Sequence, residues 1–344
     1  MALSNYMTDK YIDEVEAMLK SKEIELGQIK PKGNLEPSVP NFEGYEDQIR
    51  QDYLTRIPES ERNGMKFGCN RKFNDSYYEG DLLNSQRHGF GKMVYENGRS
   101  YIGEWKYDLR HGRGIEKYSN KNVYKGEYVE GKADGKGQYI WENGEMYVGE
   151  WKKGTKQGKG KWQSPEGDYY VGEWQESEAH GWGKHVWSTG DSYEGQWFGC
   201  KKHGMGIEFY AENGDKYVGE FKDSKPSGYG KYTYKNGTIY IGQFADGKKH
   251  GTGKLVTNQG QMHIGEYKND KKDGLGCFKW PSGNEYRGYF KDDKRNGKGV
   301  ILWNDGSSYD GDWVDGVQHG QGIMHFSDGR PPKIGKFDNN RFED

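Results

Sequence analysis

Aliphatic residues are scarce in this chain of 344 residues: 31% is hydrophobic, and Phe, Trp and Tyr alone supply 15%. A layered enzyme of this length needs far more Leu, Ile and Val to fill its core, so that class is not expected. Cysteine is also rare. Cys69, Cys200 and Cys277 are odd in number and lack any paired spacing, which fits a reducing compartment and argues against a disulfide framework. No stretch approaches the ~18 apolar residues of a membrane span, and the opening MALSNYMTDK has no apolar signal core. Neither export nor membrane spanning is therefore expected. Charge of one sign is missing as well: 51 basic and 53 acidic residues leave a net charge of -2, which recommends neither nucleic acid nor an anionic membrane. The balance is uneven along the chain, with 8 basic and 13 acidic residues in 1–64 and 43 and 40 in 65–344.

What the chain has in excess is glycine, 54 residues, together with 27 Tyr and 11 Trp. They are periodic. A Tyr-x-Gly triplet begins at Tyr78 and recurs in steps of 23 residues, with two steps of 24, through twelve registers ending degenerately at Lys333. Two positions after each Gly stands a bulky apolar residue. The regular pairs are Tyr101 with Trp105, Tyr147 with Trp151, Tyr170 with Trp174, Tyr193 with Trp197, Tyr217 with Phe221, Tyr240 with Phe244 and Tyr309 with Trp313. A Gly-x-Gly follows within each unit, and a pair such as Asn97-Gly98 or Asp305-Gly306 precedes the next Tyr.

Tyr, Gly and Trp at i, i+2 and i+4 share one face of a strand, and Asn-Gly pairs signal hairpin turns. No unit has room for a 12-residue helix. The pattern predicts an all-β fold: an elongated, single-layer antiparallel meander of tandem hairpins with an aromatic spine on one face. At about 4.8 Å per strand, twelve hairpins extend ~115 Å. Three segments are expected: an N-terminal amphipathic helix in 1–27, a Pro-containing linker in 28–64 (Pro31, Pro37, Pro40, Pro58) and the repeat array in 65–344. Thr8 or Asp9 caps the helix, whose apolar face carries Ile12, Val15 and Leu19, and a second short helix fits Glu46–Leu54.

The units Tyr101–Gly114 (YIGEWKYDLRHGRG) and Tyr193–Gly206 (YEGQWFGCKKHGMG) resemble the MORN-repeat family, as does most of the chain in about twelve copies. The resemblance implies a single-layer hairpin array and a scaffold at membranes, cytoskeleton or cilia, with radial-spoke-head proteins among the similar ones. Departures fall at Leu82, at His263 and in the final unit, where Pro331-Pro332 and Lys333 replace the turn and the Tyr.

Catalytic chemistry is not evident. No Gly-Lys pair precedes Ser or Thr, which excludes a phosphate-binding loop of that type, and the repeats run to seven residues from the end, leaving no expected space for an appended catalytic domain. Glu104, Glu127, Glu150, Glu173, Glu220 and Glu266 recur once per unit and read as a solvated ion-pair ladder facing Lys92, Lys161, Lys184 and Lys231. His88, His111, His180, His203, His250 and His319 precede Gly-x-Gly. Equivalent positions in successive hairpins lie about 9.6 Å apart, too far to share a metal ion. No catalytic residue, metal ligand, cofactor or small-molecule substrate is therefore expected.

The loops within the hairpins carry a candidate basic edge: Arg87, Arg110, Lys152, Lys153, Lys201, Lys202, Lys248, Lys249, Lys271, Lys272, Lys294 and Arg295. Such charges keep a long sheet soluble, or they form a docking edge for anionic lipid heads or acidic protein tails. The N-terminal segment either lies back on the first hairpins or serves as a partner-binding arm through Ile12, Val15 and Leu19. Part of the aromatic face is expected to remain open, since a single-layer sheet has no second layer to cover it. The leading functional expectation is a non-catalytic scaffold joining other proteins, including another MORN protein, in a cytoplasmic cytoskeletal assembly of ciliary, radial-spoke-like type. The alternative is a peripheral adaptor for phosphoinositides. Nucleic acid is not expected as a partner.

Overall fold

The computed structural model describes residues 8–29, 35–38 and 41–343. Residues 1–7 of the first segment, and Pro31 and Pro40 of the linker, lie outside them. Helix α1 (Asp9–Gly27) begins at Thr8, whose hydroxyl accepts the Tyr11 N–H at 3.1 Å. Helix α2 (Tyr45–Arg56) and the short α3 (Glu59–Arg62) follow, and the strands start at Met65. Among the described residues 25 strands belong to one antiparallel sheet, and within each part of the array consecutive strands pair, as the repeat spacing predicts.

The chain groups into two compact units. One contains Lys32–Gly190 with Gln196–Cys200; the other contains Met1–Pro31, Asp191–Gly195 and Lys201–Asp344. In a stack of hairpins each unit touches only its neighbours, so nothing forces a long array into a single contact cluster. Each unit also has its own helix, α2 in the former and α1 in the latter.

Within a repeat the two-residue hairpin turn falls where the sequence gives the weaker signal. Tyr107 and Asp108 both have positive φ, 50° and 67°, as do Asp292 and Asp293, 48° and 70°. Two consecutive left-handed residues match the twist of the flanking strands. The Asn-Gly pairs instead close longer connections, where the Gly98 N–H donates to the Tyr95 carbonyl at 3.0 Å. After each turn the pairing slips by two residues, as between Gly103 and Trp105. The slip makes a bulge at the first Gly of Gly-x-Gly. There Gly112 takes φ 57°, and a Cβ would strike the Glu104 carboxylate.

The spine lies on one face of this sheet. Tyr101, Tyr147, Tyr193, Tyr217, Tyr240 and Tyr309 are fully buried. Each Tyr ring meets the bulky residue of its own and the next unit edge to face, as Tyr147 does with Trp151 at 5.3 Å and with Trp174 at 5.1 Å. Tyr hydroxyls donate to the carbonyl three residues on, and indole N–H groups donate to strand carbonyls, such as Trp174 to Gly160 at 3.0 Å. Gly114 must lack a side chain because a Cβ there would overlap the Tyr101 ring. Rings from consecutive units interleave, so most of this face fills itself, although Trp151 stays half-buried.

Candidate interaction surfaces

The recurrent carboxylates do not form an ion-pair ladder. Glu104, Glu127, Glu150, Glu220 and Glu266 accept the backbone N–H of the residue between the two glycines, at 2.9–3.3 Å. They close the bulge, whose N–H would otherwise lack a partner. Lys161 and Lys231, read as their partners, reach the N-terminal segment instead, pairing with Glu36 at 3.3 Å and Glu23 at 2.6 Å.

The basic edge separates into three sets. Arg87, Arg110, Lys202, Lys249, Lys272 and Arg295 fold inward over the spine, each with its charged end 4.2–5.9 Å from the ring centre of the next unit's bulky residue. Desolvation against these rings pushes the Lys272 and Arg295 pKa values down. Lys152, Lys201, Lys271 and Lys294 pair with Asp134, Asp223, Asp292 and Asp315 at 2.8–3.4 Å. Lys153 and Lys248 are simply exposed. The edge is thus lined by its own counterions, and it is not the uniformly basic strip that a count of cations suggests.

In each unit the sheet face opposite the spine, its outer face, holds a helix, α1 in one and α2 in the other. Ile12, Val15 and Leu19 are buried against Ile241, Ile264 and Cys277, with Tyr229, Ile239 and Leu275 beside them. Burial of Ile12, Val15, Leu19 and Leu26 contributes roughly 1.5–3 kcal/mol each before ordering costs. Three acids on the same helix face fix its position: Asp9 to Arg287 at 2.7 Å, Glu16 to Lys254 at 2.5 Å and Glu23 to Lys231 at 2.6 Å. Their spacing is seven residues, two helical turns. Sequence reading found the apolar stripe but not this acidic one, nor its cations on the sheet. Because the stripe is already covered by the chain's own sheet, Ile12, Val15 and Leu19 do not form a free docking helix in this structure.

Helix α2 repeats the arrangement in the other unit. Tyr45 and Ile49 join Phe42 and Ile115 in a core flanked by Phe90, Ile102, Val123 and Val148. Arg56 pairs with Glu104 and Asp52 with Arg113, both at 2.8 Å. The helix therefore lies on early hairpins, on the face opposite the spine, and its C-terminal end reaches the opening strand, where Tyr53 and Ile57 pack with Met65.

One spine position stands apart. His263 replaces Tyr, is 1% exposed, and neither ring nitrogen has a hydrogen-bond partner. Burial lowers its pKa to about 3, with Lys272 adding to the shift. Among the described residues, no cluster of His, Cys, Asp and Glu could hold a metal ion. Nor is any helix among them long and apolar enough to cross a membrane.

The MORN-repeat family model matches eleven consecutive segments, from 78–98 to 309–329, and these cover well over half of the chain. The chain belongs to the MORN-repeat family. The degenerate twelfth register lies beyond the matches, yet its Phe337 packs on Tyr309 at 4.9 Å. No curated protein matches the chain in sequence. Among solved structures, the chain is similar to the SAS-4 TCP domain of Drosophila melanogaster in complex with a proline-rich motif of Ana2, at 14% identity and a TM-score of 0.24 over 52% of this chain and 84% of that one. For a mutant TCP10 domain of Danio rerio CPAP the values are 11%, 0.20, 70% and 95%. For an inactive virginiamycin B lyase from Staphylococcus aureus they are 8%, 0.15, 76% and 94%. Likenesses this weak bear on neither site nor function.

Proposed function

We propose that this protein is a non-catalytic scaffold that joins protein partners in a cytoskeletal assembly, of ciliary or axonemal type. MORN repeats are commonly associated with protein- or membrane-binding scaffolds, and two features favour the protein reading here. In each unit the outer face already holds a helix by an apolar stripe flanked by ion pairs, which is the chemistry of helix-in-groove recognition. That is the observation that carries the proposal. The basic edge, the feature a phosphoinositide adaptor would use, is largely committed to its own rings and aspartates. The ciliary setting rests on the family resemblance to radial-spoke-head proteins.

The test is co-sedimentation of the full chain with phosphoinositide-containing and with neutral vesicles at physiological salt, beside fractionation of the tagged protein in its source cell. The scaffold should pellet equally little with both vesicle types and stay with the detergent-insoluble cytoskeleton. Salt-sensitive pelleting with the anionic vesicles alone, lost on Lys153→Glu and Lys248→Glu, would make it a membrane adaptor instead.

A further inference from the structure

The inward cations define a slot that recurs along the spine, and four copies of that slot, at Ala133, Ala179, Pro226 and Gln318, lack a cation. Lys156 shows the filled form. Its ammonium lies 4.1 Å from the centre of the Trp174 ring, 5.4 Å from Tyr147 and 5.9 Å from Trp141. Desolvation by these rings pushes its pKa down. One repeat earlier, 23 residues back, the corresponding rings are Trp151, Tyr124 and Tyr118, and the position of the lysine is taken by Ala133. Ala133 pairs with Tyr128 as Lys156 pairs with Trp151, so the backbone register is the same.

Where the lysine side chain would run there is a cavity of about 220 Å³, lined by Tyr118, Tyr124, Trp151 and Ala133, with Arg110, Lys132 and the buried Glu116 at its side. Trp151 is only half-buried, whereas Trp105, Trp174, Trp197 and Trp313 at the equivalent position are buried. Among the slots without a cation, the one at Ala133 is where the ring stays half-buried; Trp197, Phe244 and Phe337, over Ala179, Pro226 and Gln318, are buried.

We propose that this cavity is a binding site for an alkylammonium group, supplied by a lysine side chain, methylated or not, of another protein. The rings present negative faces to a cation, and the chain itself places Lys or Arg in this slot in seven other repeats. Arg110 does not forbid a second cation. Its guanidinium is held by Glu116 and by the Gly131 carbonyl, and Lys249, Lys272 and Arg295 fill three consecutive slots side by side. A lysine fits the channel better than an arginine, because the filled neighbour with matching rings holds lysine. The site does not depend on the scaffold reading.

The test uses the full chain labelled with fluorotryptophan, with the Trp151 fluorine signal assigned by its loss in Trp151→Phe. The probes are N-acetyl-lysine methylamide, its Nε-trimethyl form, choline, and n-pentanol as a neutral control. Both lysyl probes should move the Trp151 signal saturably, roughly tenfold tighter than pentanol, and Ala133→Lys should abolish the response by filling the slot from within. Preference for choline over both lysyl probes would overturn the assignment to a lysine side chain. An equal response to pentanol, no response at tens of millimolar, or a response that survives Ala133→Lys would overturn the site.

Discussion

Trp174→Ala should destabilise the protein by about 3–5 kcal/mol, whereas His203→Ala should cost about 1 kcal/mol or less. The two residues recur with the same period, so periodicity alone cannot rank them. Packing does. Trp174 contacts Tyr147 and Tyr170 edge to face at 5.1 Å each, donates its indole N–H to Gly160, and carries the Lys156 ammonium over its ring. Its removal opens a cavity at the junction of two hairpins and strands the half-buried Lys156 ammonium. His203 is exposed at a hairpin start. Urea denaturation followed by circular dichroism measures both, and equal losses would contradict a spine held together by its rings.

Acid should weaken the protein through His263. The imidazole is buried and neutral in the folded state, with a pKa lowered to about 3, against an ordinary value near 6.5 in the unfolded chain. Between those values the unfolded state binds the extra proton, so stability falls as pH drops below about 6.5 and levels off near the folded pKa. The rings of Tyr267, Phe278 and Phe290 surround the site, with Lys272 the nearest charge, and none of them can stabilise an imidazolium through a carboxylate. Tyrosine at this position, as in most other units, does not titrate in that window. The stability advantage of His263→Tyr over the parent should therefore grow by about 2–3 kcal/mol between pH 7 and pH 4.5. A difference independent of pH would show that the imidazole reaches water or a proton acceptor.

The array was legible in the sequence because its signal repeats: Tyr, Gly and Trp recur in fixed register, and each recurrence reinforces the last. The outer face was not, because its residues follow no period. The position after the spine Tyr is Ile102, Val148, Ile241 and Ile264 under the helices, but Glu79, Lys125 and Asp310 elsewhere. Only the folded register shows that Lys231, Lys254 and Arg287 meet the acids of α1. The basic edge misled for a related reason. Lysines and arginines cluster visibly at the turns, while the rings and aspartates that hold them come from the neighbouring unit, about 21 residues away in Lys271 with Asp292.

The central claim, that the outer face holds helices by paired charge and apolar contact, is tested most directly at Cys277. This thiol is fully buried in the core formed with α1, and burial pushes its pKa up to about 12. In the full chain with Cys69→Ser and Cys200→Ser, its labelling by a maleimide reports undocking of the helix. Glu16→Lys combined with Glu23→Lys sets like charges against Lys254 and Lys231, and labelling should accelerate roughly tenfold. Adding Lys254→Glu and Lys231→Glu should return the rate toward that of the parent. Unchanged labelling in the double reversal would contradict the claim.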